Sequence, residues 1–199
     1  MTPKNEKCVG CPAYGWGRFM VGDEVHADDI VEIVGQNPGR DEEGQGRPFV
    51  GPTGMEMEKV YLPLAGLSRD QVTIRNAIRC RMHGTNNLPP VEEKVTQAII
   101  NHCRVHDIPA PAPKLTVTQG AYALWKATGD TQPSTWRGWL VDPVYRAHRT
   151  SLWLPQPSQP RVLVTIHLAA LYRDMTMTLP TMMDWAKVPK ILAGTWPLP

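Results

Sequence analysis

The hydrophobic residues of this chain fall into short runs with one of two spacings, separated by stretches rich in glycine and proline. Four runs have the near-continuous apolar character of strands covered on both faces. They are Ile30 to Val34 within Asp28–Gly35, then Gln71 to Arg81, which starts as a strand and ends in a basic turn, Lys114 to Gly120, and Arg161 to His167. Between and after them lie segments with helical spacing: Thr53 to Leu62, Val91 to Val105, Ala121 to Thr128, and Met182 to Leu192. Thr53 reads as the N-cap of the first helix, with Glu56 three residues on. Pro89-Pro90 and the acidic pair Glu92-Glu93 open the second, where negative charge favours the helix dipole. Gly129 closes the third, and Trp136 to Val141 reads as an edge strand.

Strands alternating with helices predict an α/β fold around a central, mainly parallel, four-stranded sheet. A length of 199 residues suits a single domain spanning residues 1–199. In such sheets ligands bind beyond the carboxyl ends of the strands. Three of those ends carry polar chemistry: Gln36 to Phe49 after the first strand, Asn76 after the second, and His167 after the fourth.

Composition narrows the setting. The hydrophobic fraction is 42% and the charged fraction 20%, values of a soluble globular protein. No apolar run approaches the roughly 20 residues needed to span a bilayer. The segment Met1 to Lys7 lacks the apolar core of a signal peptide. A cytoplasmic protein with no membrane partner is expected. The net charge of +2 leans only weakly toward anionic partners.

The stretch from Gly35 to Gly54 is a long loop whose glycines and prolines make the backbone turn sharply. It holds three acids, two arginines and one of the two phenylalanines of the chain. It lacks the G-x-x-x-x-G-K-(S/T) and G-x-G-x-x-G spacings of phosphate-binding loops. Loops of this length with such contents are more often functional than connective.

The four cysteines are Cys8, Cys11, Cys80 and Cys103. Two disulfides would suit the count but not the expected compartment, whereas a metal or cluster suits both. Cys8-Val9-Gly10-Cys11-Pro12 brings two thiolates to one tight turn. By itself the pair fits zinc, an iron–sulfur cluster or a redox couple; the poor helix start after Cys11 argues against the last. Cys80 and Cys103 are the candidates to complete a four-thiolate site that staples the N-terminal segment to the body of the fold.

Taken together, the motifs are those of a known family. The run Gly35 to Gly54, of the form G-x-x-P-G-x-x-E followed by G-R-P-F-V-G-x-x-G, resembles the first motif of the iron–sulfur, or family 4, uracil-DNA glycosylases. Asn76-Ala77-Ile78-Arg79-Cys80-Arg81 is similar to its N-x-x-x-C-R segment, and Thr118 to Ala121 to its strand-to-helix element. Thr165 to Arg173 resembles its second catalytic motif. The cysteines follow the family order, and the resemblance runs from Cys8 to about Leu192.

The resemblance implies a three-layer α/β/α sandwich and a monomer that hydrolyses the N-glycosidic bond of deoxyuridine in single- or double-stranded DNA. Phe49 would stack on the flipped uracil. Asn76 would read its edge, offering a donor to O4 and an acceptor to N3–H. Gln36 and Asn37 would complete the base pocket. His167 would stabilise charge on uracil O2 as the base departs, and Glu42 would position the attacking water. Leu168, Ala169, Ala170 and Leu171 would press into the minor groove, with Leu171 as a wedge, and Arg81 and Arg173 would contact phosphates. Cys8, Cys11, Cys80 and Cys103 would hold a four-iron, four-sulfur (4Fe–4S) cluster, with zinc as the alternative occupant of the same donors.

Three departures from the family pattern stand out. Gln36 occupies a position where the family commonly has an acid, and an amide can orient water but cannot take its proton. Leu168 replaces the usual proline after the histidine. The 22 residues between Cys80 and Cys103 exceed the usual spacing, with Arg81 to Asn87 as extra loop. The departures motivate two other readings: a non-catalytic uracil- or single-strand-binding module on the same scaffold, and a glycosylase directed at another deaminated base.

Overall fold

The computed structural model describes residues 2–17, 19–26, 28–82, 89–109, 113–146, 153–155 and 160–196. Most of the extra loop after Arg81 lies outside these residues. The central sheet is built from β1 (Val31–Gly35), β2 (Val72–Asn76), β3 (Leu115–Gln119), β4 (Leu140–Val141) and β5 (Arg161–Thr165). Its order is β2-β1-β3-β5-β4. The four longer strands are parallel, and β4 pairs antiparallel with β5.

The sheet therefore has one strand more than the four expected, and the edge strand is shorter than Trp136 to Val141. Pro133–Trp136 forms a helical turn instead, and only Leu140–Val141 pairs. Gly138 explains the break: its φ of 77° is a left-handed kink between the two pieces.

The apolar runs became buried strands because both faces of the sheet are covered. On one face Ile33, Ile74, Val117 and Leu163 pack against Met57, Tyr61 and Leu62. Those three belong to α2, in which Pro52–Glu56 continues through a π-helical turn at Met57–Tyr61 into Leu62–Leu64. Trp185, from the helix Thr178–Trp185, closes this layer against Tyr61, with ring centroids 5.8 Å apart. On the other face Ile99 and Ile100 of α3 (Lys94–Cys103) join Tyr122 and Trp125 of α4 (Ala121–Thr128). Burying such side chains contributes about 1.5–3 kcal/mol each. The result is the three-layer α/β/α arrangement expected.

Register levels the ends of the parallel strands. Gly35 sits opposite Asn76, and Gln119 opposite Thr165. The segments that follow β1, β2 and β5 therefore leave the sheet at one edge, as the sequence implied.

One part of the interior is ionic. Arg75 and Arg79, both nearly inaccessible, pair with Asp23, and Arg75 also pairs with Glu32. Asp107 Oδ1 takes Arg79 Nη2 at 2.8 Å and Lys126 Nζ at 2.7 Å. Burial would raise the Asp107 carboxyl, but Lys126, Arg79 and Arg75 hold it below the usual carboxylate range. Asp107→Ala would leave Lys126 without its carboxylate while Arg79 keeps Asp23, and breaking a buried pair this way costs about 3–5 kcal/mol. A fall of that size in urea-unfolding free energy is expected, and a loss under about 0.5 kcal/mol, the level of an ordinary surface substitution, would contradict it. No helix among the described residues is long and apolar enough to cross a membrane.

Candidate active site

A cleft of about 270 Å³ opens at the carboxyl ends of the strands, lined by residues 37–42, Phe49, residues 51–54, Asn76, His167 and Ala169. The long loop supplies most of the wall, and it contains a helix the sequence reading left as loop. This is α1 (Arg40–Gln45), which ends at Gly46. Its interior glycine and short length hide it from a periodicity argument.

Glu42 organises this loop. Its Oε2 accepts from the Gly39 N–H at 3.0 Å, and its Oε1 accepts from Val50 N–H at 2.9 Å and Gly51 N–H at 2.7 Å. One carboxylate thus ties the start of α1 to the start of α2. The N-cap of α2 is Gly51, with Pro52 at the first helical position, not the expected Thr53.

Phe49 is held between these points with φ of 51°, the only described non-glycine residue with positive φ. Such a backbone costs about 1–3 kcal/mol and persists only where its surroundings over-determine it. Two glycines make room for it. A Cβ on Gly35 would fall 2.5 Å from Phe49 Cζ and 2.6 Å from Asn76 Oδ1, and one on Gly54 would fall 2.0 Å from Phe49 O. The ring of Phe49 and the amide of Asn76 therefore meet over the bare backbone of Gly35.

Asn76 is 4% exposed at the end of β2. Its side-chain amide makes no hydrogen bond to another described residue. An amide at this place can offer both a donor and an acceptor to whatever enters the cleft.

His167 follows β5 and caps the turn Leu168–Ala170: its Nδ1 accepts from Ala169 N–H at 3.2 Å. That bond leaves the proton of the neutral ring on Nε2. Burial, and then the charge of Arg173, hold the imidazole pKa down at about 4. At neutral pH the ring is an uncharged donor.

The structure does not bring every expected residue into the cleft. Asn37 lines it, with Nδ2 donating to Pro38 O. Gln36 lies just beside it, its amide over Gly120 and next to His167. Arg81 pairs with Glu43 at 3.3 Å. Ala169 borders the cleft, and Arg173 is exposed near His167. Leu171 requires correction: it is 4% exposed, and with the inaccessible Leu168 it packs in the core beside Trp185. A side chain committed to the core is no wedge in this conformation. Tyr172 beside it is 59% exposed, and its hydroxyl donates to Glu56 Oε2 at 2.8 Å.

Sequence reasoning missed Arg69 and Glu24. Arg69 donates from Nη1 to Phe49 O and from Nη2 to Pro48 O, while Nε and Nη2 meet the two oxygens of Glu24. Burial would raise the Glu24 carboxyl, but Arg69 and Arg47 hold it below its ordinary value. Both residues sit in polar turns without periodicity, so no local signal marks them.

The four cysteines converge on a second, small pocket together with Lys4, Arg79 and His106. All four are free thiols, three of them buried. Cys8 Sγ lies 3.4 Å from His106 Nε2 and from Met20 Sδ. Burial pushes the Cys80 thiol up to about 12; Lys4 pulls the other way, and Cys103, Cys8 and Cys11 add to the rise. The four thiols come from three chain segments and line one pocket. Among the described residues no group of three or more His, Cys, Asp or Glu is placed so as to hold a metal ion.

Residues 22–187 match the family model of the uracil DNA glycosylase superfamily, and the chain belongs to that superfamily. Within it, the chain is similar to proteins named type-4 uracil-DNA glycosylase. It is 35% identical to the one from Thermotoga maritima over 124 residues, a stretch covering 62% of each chain. It is 34% identical to the one from Sulfurisphaera tokodaii over 116 residues, covering 58% of this chain and 51% of the relative. The chain thus spans less than two thirds of the length of either relative.

Proposed function

We propose that this chain is a type-4 uracil-DNA glycosylase, acting as one domain and as a monomer inside the cell, that releases uracil from DNA and leaves an abasic site. The observation that carries this reading is the meeting of three groups in one cleft: Phe49 and Asn76 over Gly35, and a neutral His167. Superfamily membership and the type-4 relatives support it.

Each group has a part in the reaction. A flipped uracil enters the cleft and stacks on Phe49, a contact worth roughly 1–3 kcal/mol per base. Asn76 donates to O4 and accepts from N3–H; in that orientation cytosine sets donor against donor and acceptor against acceptor. As the C1′–N1 bond breaks, its electron pair moves onto uracil and charge builds on O2. His167 Nε2–H donates to that oxygen, stabilising the departing anion without giving up its proton. Water then adds to the C1′ cation and releases a proton, and the uracil anion takes up one proton from solvent, so that uracil and an abasic site are the products.

Glu42 acts in this scheme by shaping the wall of the cleft, because its two oxygens are engaged by three backbone N–H groups. Asp41 is the other acid bordering the cleft and is exposed. It is the carboxylate better placed to meet water, with Gln36 orienting rather than accepting.

The cysteine pocket fits the 4Fe–4S cluster, with Cys8, Cys11, Cys80 and Cys103 as ligands. When bound, the cluster supplies a crosslink between the N-terminal segment, the chain after β2 and the end of α3. Freshly purified protein is expected to be brown, with absorbance near about 400 nm from thiolate-to-iron charge transfer. Colourless protein with stoichiometric zinc in the same donors would contradict the cluster.

The low pKa of His167 sets the pH dependence. The donor form is the neutral ring, so single-turnover uracil release should hold from neutrality down toward pH 4, with its acidic limb there. An acidic limb near the ordinary histidine value of 6.5 would contradict the assignment. The same depression makes the folded state bind fewer protons than the unfolded one between these values. Stability from this group is complete above pH 6.5 and is lost as pH falls toward 4.

Substrate class is tested with oligonucleotides carrying uracil, hypoxanthine, xanthine or thymine. Preference for uracil above tenfold, about 1.4 kcal/mol, is expected. Equal or faster release of another base would favour shifted specificity, and tight uracil-DNA binding without release would favour the non-catalytic module.

A further inference from the structure

We infer that Arg69 is a positioning residue that sets the ring of Phe49 for base stacking, an inference that rests on the glycosylase reading above. The peptide joining Phe49 to Val50 is gripped at both ends. Its carbonyl oxygen accepts from Arg69 Nη1 at 2.9 Å, and its N–H donates to Glu42 Oε1 at 2.9 Å. The neighbouring peptides repeat the pattern: Pro48 O accepts from Arg69 Nη2 at 2.7 Å, and Gly51 N–H donates to Glu42 Oε1 at 2.7 Å. A cation thus holds two carbonyls and an anion holds two amides on either side of the one left-handed aromatic residue. The strain at Phe49 persists because the peptide before it is held by Arg69 and the peptide after it by Arg69 and Glu42 together.

Arg69 is itself anchored to the sheet. Its Nε and Nη2 meet Glu24 Oε1 and Oε2, each at 2.9 Å. Glu24 in turn exchanges two backbone hydrogen bonds with Ile74 of β2, at 2.9 and 2.8 Å. That strand ends two residues later at Asn76. The stacking ring and the base-reading amide therefore take their positions from the same strand, one through the backbone and the other through the guanidinium. A planar fork with five donors can bridge a carboxylate and two carbonyls at once, whereas an ammonium cannot hold that geometry.

Arg69→Lys keeps the charge beside Glu24 and removes the fork; Arg69→Met is the companion variant, and thermal unfolding checks that both remain folded. Two readouts are paired. Amide hydrogen exchange at Val50 and Gly51 reads the clamp whether or not the protein is active, and about tenfold faster exchange is expected in Arg69→Lys. Single-turnover uracil release reads its consequence, with a loss of about 10²-fold from misplacing a binding group. In a Phe49→Ala background the same substitution should change the rate by no more than about twofold, because the ring it positions is gone. Unchanged exchange would overturn the clamp. Faster exchange with losses that simply add to those of Phe49→Ala would overturn the positioning role and leave only a structural one. Wild-type protein that releases no uracil would overturn the glycosylase reading and the catalytic half of this inference, while exchange still decides the clamp.

Discussion

His167→Ala is expected to slow single-turnover uracil release about 10²–10³-fold, the usual consequence of removing one donor to a developing anion. Uracil-DNA binding should change much less, because the bond to O2 strengthens mainly as the glycosidic bond breaks. The side chain has a second job, since Nδ1 caps the turn after it by accepting from Ala169 N–H. Loss of that cap alone would disturb the Leu168–Ala170 turn. His167→Asn separates the two, because its Oδ1 can still accept from Ala169 N–H while its donor, Nδ2–H2, is on too short a side chain to stand where Nε2–H does. Rates as low as those of His167→Ala are expected with the turn intact. Wild-type rates in His167→Asn would show that capping, not donation, was the contribution.

Asn76→Asp should alter which base is accepted. The native amide offers one donor and one acceptor from a position 4% exposed, so a mismatch cannot be relieved by water. An ionised aspartate offers acceptors only. It repels uracil O4 and gains a partner in the exocyclic amine of cytosine. Uracil release is expected to fall about 10²-fold or more, with the cytosine-to-uracil ratio rising, as for sites whose buried polar groups lose their match. Equal loss on every substrate would mean that Asn76 serves the shape of the cleft rather than recognition.

The parallel strands were legible because strands buried on both faces must be apolar along their length, and few other elements read that way. Ile30 to Val34 and Arg161 to His167 needed no tertiary information, and strand ends then indicated where Asn76 and His167 would meet. The fate of Leu171 was not legible. An exposed loop leucine and a core leucine look alike until Trp185 and Leu168 are known to lie beneath it. Glu42 was visible as an acid in a motif, but its three N–H partners come from residues three to nine positions away, across a turn no local rule predicts. Arg69 was hidden for the same reason. Its partners, Glu24 and Phe49, are 45 and 20 residues distant and share no periodicity with it.

The cysteines illustrate the opposite case. Only Cys8 and Cys11 are close in sequence, yet the count alone led to Cys80 and Cys103, and all four line one pocket. Arg79 borders that pocket and also belongs to the buried network with Asp23 and Asp107. The cysteine pocket and the sheet that carries Asn76 are thus joined by ionic as well as covalent connections.

The most direct measurement is detection of free uracil after a single turnover of wild-type, cluster-loaded protein on an oligonucleotide with one deoxyuridine. Stoichiometric uracil together with an alkali-labile abasic site is the predicted result. A folded protein with its cluster in place that binds the oligonucleotide and yields neither product would contradict the account.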